Sequence, residues 1–146
     1  MSDPCEDICD SLVDWANALA EETPNPLGVA FAASKPADPN AQLELEFNDL
    51  QVMFVPYAEE EEKAGRGGVV LETFTVSMMV VRQLSSEFSR PRLAGVVRTL
   101  RDQLRGVRMA GYVYSRSETA VKFDPDQVHD NNQFLSVVRL SYKGMS

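Results

Sequence analysis

Four arginines spaced by three, four and three residues are the side chains of this sequence best suited to bind another molecule. They are Arg98, Arg101, Arg105 and Arg108. At 100° per residue on a helix, they would fall within about 80° of one another and form a basic stripe beside an apolar face. Three interpretations remain open: a solvated helix face, an interface with an acidic protein surface, and a phosphate-binding surface. Asp102 inside the stripe, and the lack of interleaved aromatic residues, argue against contacts with nucleic-acid bases.

A run of four glutamates forms the opposite kind of candidate surface. The run and the arginine that follows it are Glu59, Glu60, Glu61, Glu62 and Arg66. Repulsion between the carboxylates, and the glycines at 65, 67 and 68, predict a mobile acidic loop over residues 57–68. Such a loop could dock on a partner or repel DNA from a channel wall. A solvated loop tip is the alternative.

The residues that could bind a metal ion do not form a recognisable site. Cys5 and Cys9 would lie one helical turn apart, and His129 is the only histidine, but no fourth zinc ligand is evident. A second candidate contains three aspartates, Asp124, Asp126 and Asp130. That stretch lacks the glycine and the final glutamate of a calcium-binding loop. We therefore expect neither a metal nor a cofactor.

No arrangement of residues indicates catalysis. Residues 65–68, Gly-Arg-Gly-Gly, are not followed by the Lys-Ser/Thr pair and the helix that a phosphate-binding loop requires. The sequence contains no Gly-x-Ser-x-Gly motif, and His129 has no evident nucleophile as a partner. We expect that the protein is not an enzyme and has no catalytic residues.

Charge is distributed very unevenly along the 146 residues, whose net charge is −8. Residues 1–62 contain 15 acidic residues and one basic residue, Lys35, whereas residues 63–146 contain 7 acidic and 13 basic residues. The net negative charge argues against nonspecific coating of nucleic acid. The uneven distribution is suited to contacts between an acidic and a basic surface. Two cysteines and no long apolar run predict a cytoplasmic protein without a membrane span.

Hydrophobic periodicity predicts a single α+β domain over residues 1–146. Two helices are expected, at residues 3–22, with Asp3 as N-cap, and at residues 90–108. Strands are expected at residues 27–34, 43–47, 50–56, 69–84, 110–116, 119–123 and 134–142. A Pro-rich loop at 35–42 and a loop at 124–132 separate some of them. The expected architecture is one mostly antiparallel or mixed β-sheet with two helices packed on it.

Several stretches of the chain together resemble the tail terminator, or tail completion, proteins of long-tailed bacteriophages. The matching stretches are DLQVMFVP at 49–56, the acidic loop with Arg66, FTVSMMVV at 74–81, the helix at 93–104, and FLSVVRLSY at 134–142. An extended Phe-Asp-Pro at 123–125 precedes the last of these. The resemblance is one of element order and spacing over most of residues 5–143, and the Pro-rich segment 23–42 has no counterpart in it.

The resemblance implies a structural function without a cofactor or catalysis. A tail terminator is expected to form a hexameric ring that caps the tail tube, stops its polymerisation and offers a docking surface to head or neck proteins. The expected partners are further copies of the chain, the tail tube protein and the head-to-tail connector. Genomic DNA would pass through the ring without specific binding. The protein would be part of the virion and assemble in the host cytoplasm.

Three alternatives remain. One is a head-completion or neck adaptor protein of the same virion. The second is a nucleic-acid-binding regulator that uses the basic second helix, and the third is a small-molecule-binding domain or enzyme. In any ring, one patch of a subunit must meet a different patch of the next subunit. Separate acidic and basic regions suit such contacts.

Overall fold

The computed structural model describes residues 3–36, 49–63, 65, 67–122 and 132–145. Within them the chain forms, in order, α1 (Pro4–Ala20), β1 (Phe31–Ser34), β2 (Leu50–Lys63), β3 (Val70–Gln83), α2 (Arg90–Leu104), β4 (Val113–Val121) and β5 (Gln133–Met145). The strands form one sheet in the order β1-β2-β3-β5-β4. β1 is parallel to β2, and the other neighbours are antiparallel. The predicted α+β fold with a mixed sheet and two helices is confirmed.

Both helices pack on the same face of the sheet, and the main core lies between them and the strands. Alternate residues of β3 point into it, as the apolar period of this stretch indicates: Phe74, Val76, Met78 and Val80 are all buried. Cross-strand partners on β2 and β5 share this face because neighbouring residues in a ladder point the same way. In β5 these are Phe134, Val138, Leu140 and Tyr142, also as predicted. β3 is the central strand of the five.

α1 begins where the sequence predicts and is fastened to the short strand β1. The Asp3 carboxylate accepts a 2.8 Å hydrogen bond from the backbone N–H of Cys5, which confirms the N-cap. Just after β1, Lys35 forms ion pairs of 2.8 Å with Glu6 and 2.7 Å with Asp10. These two carboxylates raise the pKa of Lys35. The helix therefore fixes the position of the chain as it leaves β1.

The acidic run is part of a strand, so the loop expected from residue 57 onwards is a wrong prediction for residues 57–63. β2 continues to Lys63, and its pairing with β3 extends from Gln51↔Val81 to Lys63↔Val70. A register shift between Pro56 and Ala58 marks a bulge in this ladder. The backbone hydrogen bonds to β3 outweigh the repulsion between the glutamate side chains. Composition alone overestimates the effect of that repulsion on the backbone.

Further boundaries differ from the sequence prediction. The first strand, expected at 27–34, begins at Phe31. The second helix ends at Leu104 rather than at residue 108, because Arg105 is extended and Gly106 adopts φ +80°, a left-handed conformation that glycine favours. The strands expected at 110–116 and 119–123 are one strand, β4, with register shifts at Tyr114/Arg116 and Thr119/Val121. The predicted strand at 43–47, most of the loops at 35–42 and 124–132, and Arg66 lie outside the described residues.

Neither helix in the described part of the chain is long and apolar enough to cross a membrane.

Candidate interaction surfaces

The four glutamates lie on an edge of the sheet that no other described strand covers, which we call the acidic edge (Glu59–Glu62). β1 pairs only with Leu50–Met53, and beyond Met53 no described strand pairs with the outer side of β2. All four glutamates are exposed. An unpaired strand edge offers backbone N–H and C=O groups to another chain, and charged side chains restrict which chain can approach. This edge is therefore a candidate docking surface for a basic partner.

Register places further negative charge next to the acidic edge. Glu61 lies directly opposite Glu72 of β3, and like charges at such positions are destabilising. Glu59 lies opposite the core residue Phe74, so it points towards the helix-bearing face, whereas Glu60 lies opposite Thr73 on the other face. Both faces of the edge are therefore acidic.

The basic stripe is divided rather than continuous. Arg98 is exposed on α2, and Arg101 is partly buried, with Nη1 donating a 3.3 Å hydrogen bond to Oγ1 of Thr119 on β4. Arg105, the residue that ends the helix, donates from Nη2 to Asp102 Oδ1 at 3.2 Å. Arg108 follows the turn at Gly106, so the expectation that it continues the helical stripe is wrong. Arg105 and Arg108 are exposed and lie outside the helix.

A cavity of about 450 Å³ lies between α2, along Pro91 to Arg101, and the ends of β4 and β5. Arg98 and Arg101 line it from the helix, and Lys122 lines it from just beyond β4. Thr119 and Ser136 contribute hydroxyl-bearing side chains from the sheet. Lys122 was not singled out from the sequence, because it is 21 residues from Arg101 and only the packing of α2 on the sheet brings them to one cavity.

The face of the sheet without helices contains a feature that sequence reasoning missed. The guanidinium carbon of Arg139 lies 4.0 Å from the centre of the Tyr57 ring, and Tyr57 is 54% exposed. Nε of Arg139 is buried and forms no hydrogen bond with the described residues. Arg139 lies opposite Glu118 in the β4–β5 ladder. In the sequence, the single arginine within the apolar stretch 134–142 was the feature that could have indicated this contact.

The two thiols are enclosed in the core and are poor nucleophiles. Burial raises the pKa of Cys5 to about 11 and that of Cys9 to about 12, and nearby carboxylates add to both shifts. Only the thiolate attacks or binds metal effectively, so neither thiol is reactive near neutral pH. No group of three or more potential metal ligands occurs among the described residues. His129 and the aspartates at 124, 126 and 130 lie outside them.

Comparison with known proteins adds no relative: no protein-family model matches the chain, and no curated protein sequence matches it.

Proposed function

We propose that this protein is a non-enzymatic virion assembly protein, a tail terminator whose subunits form a ring. The ring caps the tail tube, ends its polymerisation and presents a docking surface to head or neck proteins. The observation that carries the proposal is the separation of charge across the sheet. The acidic edge lies on β2, which ends at the exposed Lys63, whereas the exposed Arg98, Arg105 and Arg108 lie on and after α2, which packs near β5 and β4 at the opposite end of the strand order.

Opposite charges on opposite sides of one subunit favour contacts between unlike patches. If two acidic edges met symmetrically, glutamates would face glutamates, which is unfavourable in a strand pair. A contact between the acidic edge of one copy and Arg105 and Arg108 of the next avoids this repulsion. Such head-to-tail contacts close into rings when the rotation between neighbours allows it. The like-charge pair Glu61–Glu72 would also be relieved by a cationic neighbour.

The α+β fold and the resemblance of the strands to tail terminators support the assignment of the ring to the phage tail. In this role the tail tube protein contacts one side of the ring and the head-to-tail connector the other. Genomic DNA passes through the centre without specific binding, and the ring is a component of the virion. None of these contacts requires a metal, a cofactor or a catalytic group.

Charge reversal and charge exchange test the proposed interface. Native mass spectrometry and negative-stain imaging of the purified protein, alone and with tail tubes, should reveal a ring, which we expect to be hexameric. Glu60→Lys/Glu62→Lys and Arg105→Glu/Arg108→Glu should each weaken the ring. In an equimolar mixture of the two double variants, the basic edge of one meets the acidic patch of the other, and the acidic edge of the second meets the arginines of the first, so alternating rings of even size should form. The quadruple variant, in which every contact is again complementary, should also recover ring formation.

The controls separate the proposal from its alternatives. Glu87→Lys changes an exposed carboxylate away from both patches and should leave the ring intact. A protein that remains monomeric or dimeric with tail tubes present would contradict the proposal. Rings that bind the head connector but not the tube would identify a neck adaptor instead. A dimer that binds DNA with a steep salt dependence would identify a nucleic-acid-binding regulator.

A further inference from the structure

We infer that the cavity between α2 and the ends of β4 and β5 binds a small phosphorylated ligand, of the size of pyrophosphate or a nucleotide. The inference concerns Arg98, Arg101 and Lys122, which the proposed ring contact does not use. It therefore goes beyond the proposed function and does not depend on it.

Charge is the first argument. Arg98 and Arg101 are three residues apart on one helix, where like charges are neighbours and repel each other. Lys122 adds a third cation from the sheet side. None of the described residues that line the cavity is acidic. The Asp102 carboxylate lies 3.9 Å from Nε of Arg101 but 3.2 Å from Nη2 of Arg105. An anion with two or more charges would relieve this repulsion.

Hydrogen-bonding groups are the second argument. Nε of Arg101 is buried and donates no hydrogen bond to any described residue, although Nη1 is bound to Thr119. A buried donor without an acceptor is costly. A guanidinium presents several donors in one plane, which suits the oxygens of a phosphate group. Thr119 and Ser136 add side-chain hydroxyls to the same cavity.

Shape is the third argument, and it favours a small ligand over a macromolecule. A volume of about 450 Å³ is within the range of pockets for small molecules. Beside the two arginines, Ala94 and Gly95 leave the helix side of the cavity open, and a Cβ atom placed on Gly95 would meet no atom within 4 Å. Duplex DNA presents its phosphates on a convex surface and would reach only the mouth of such a cavity.

Gly95 allows the cavity to be filled without altering its charge. Gly95→Leu places a side chain into the open space, and it replaces a glycine inside a helix with a good helix former. The variant should therefore fold and melt at a higher temperature than the wild type, yet lose the ligand. This combination separates loss of the site from loss of the fold.

Titration calorimetry and amide NMR with pyrophosphate and ATP test the inference. The wild type should bind at least one of them saturably, with shifts concentrated at Gly95 and Thr119. Arg98→Gln and Arg101→Gln should each weaken binding roughly tenfold or more, because each removes a charge-assisted contact. Arg92→Gln is the matched control: Arg92 is on the same helix but contacts Glu87, and it does not line the cavity. It should bind as the wild type does.

Four results would overturn the inference. They are the absence of saturable binding by the wild type, undiminished binding by Gly95→Leu, an equal loss in Arg92→Gln, and a short DNA duplex that displaces pyrophosphate and depends on the same residues. The last result would make nucleic acid the source of the phosphate. Ring formation measured on Gly95→Leu keeps the two proposals distinguishable, because the ring should persist when the cavity is filled.

Discussion

The two cysteines show how burial decides what a side chain can do. Cys5 and Cys9 have the spacing of a possible metal or redox pair, yet both lie in the core against the sheet. The Sγ atom of Cys5 is 3.8 Å from the carbonyl oxygen of Thr75, a residue 70 positions away in the chain. No local sequence pattern predicts such a contact. The pair is therefore packed as two small apolar residues.

The raised thiol pKa values predict a loss of stability in alkaline solution. Each thiol is held protonated in the folded state, so its contribution is complete below pH 9, where the unfolded thiol begins to ionise. Between pH 9 and about 12 the unfolded state loses the protons that the folded state keeps. The free energy of unfolding should fall by up to about 1.4 kcal/mol per pH unit for each thiol.

Urea denaturation between pH 8 and 10 measures this slope, below the range in which tyrosine and lysine dominate. Cys9→Ala should make the fall of the unfolding free energy with pH less steep, whatever the effect of this substitution on stability at pH 7. An identical slope in Cys9→Ala and the wild type would show that the thiol does not contribute to it.

At the scale of elements, the short edge strand β1 is stabilised by a side chain in place of a neighbouring strand. The Asn17 amide accepts a 2.9 Å hydrogen bond from the N–H of Ala33 and donates a 3.2 Å bond to its carbonyl oxygen. These are the bonds that another strand would form, so Asn17 closes this edge to other chains. The acidic edge of β2 has no such cover among the described residues.

Asn17→Ala should therefore destabilise the protein by about 1–3 kcal/mol, because it leaves two backbone groups of β1 without partners. Chemical denaturation measures the loss, and hydrogen exchange at Ala33 should accelerate by more than that of β3 amides. Asp14→Ala, an exposed position on the same helix, should change stability by less than about 0.5 kcal/mol. Equal exchange at Ala33 in Asn17→Ala and the wild type would refute this function of Asn17.

The elements that could be predicted from the sequence are those whose apolar period is set by one buried face. α1, β3 and β5 are of this kind, and each was predicted as the type of element that the structure contains. The strand character of Glu59–Glu62 could not be predicted, because it depends on pairing with Leu71–Phe74 rather than on side-chain pattern. The end of α2 could have been predicted, because glycine often terminates helices and Gly106 lies just after the helix.

At the scale of the whole molecule, the division of charge along the sequence becomes a division across the sheet. The acidic and basic halves of the chain could be read by counting, and the α+β class followed from the order of elements. The grouping of Arg98, Arg101 and Lys122 around one cavity could not be predicted from the sequence, because it depends on how α2 lies across β4 and β5. Fold class was predictable, whereas the geometry of the candidate sites required tertiary packing.

The concentration of carboxylates predicts that the isolated subunit becomes more stable as salt is added. Screening at moderate ionic strength weakens the repulsion between Glu61, Glu72 and the rest of the acidic edge. Thermal unfolding at increasing sodium chloride concentration should show a rising melting temperature. Glu61→Gln should be more stable than the wild type at low salt and respond less to added salt. A melting temperature that falls with salt would mean that ion pairs such as Lys35–Asp10 dominate instead.

The bulge between Pro56 and Ala58 gives the glutamate run an unexpected property. A bulge decides which residues of a strand point to which face, and adding or removing one residue there would exchange the faces of everything that follows. In most strands that exchange would ruin the surface. Here four consecutive glutamates follow, and side chains alternate between the two faces of the strand. Two carboxylates therefore lie on each face whichever way the alternation starts. The edge keeps its charge through a slip of register, and the segment around the bulge is free to change length without changing what it presents to a partner.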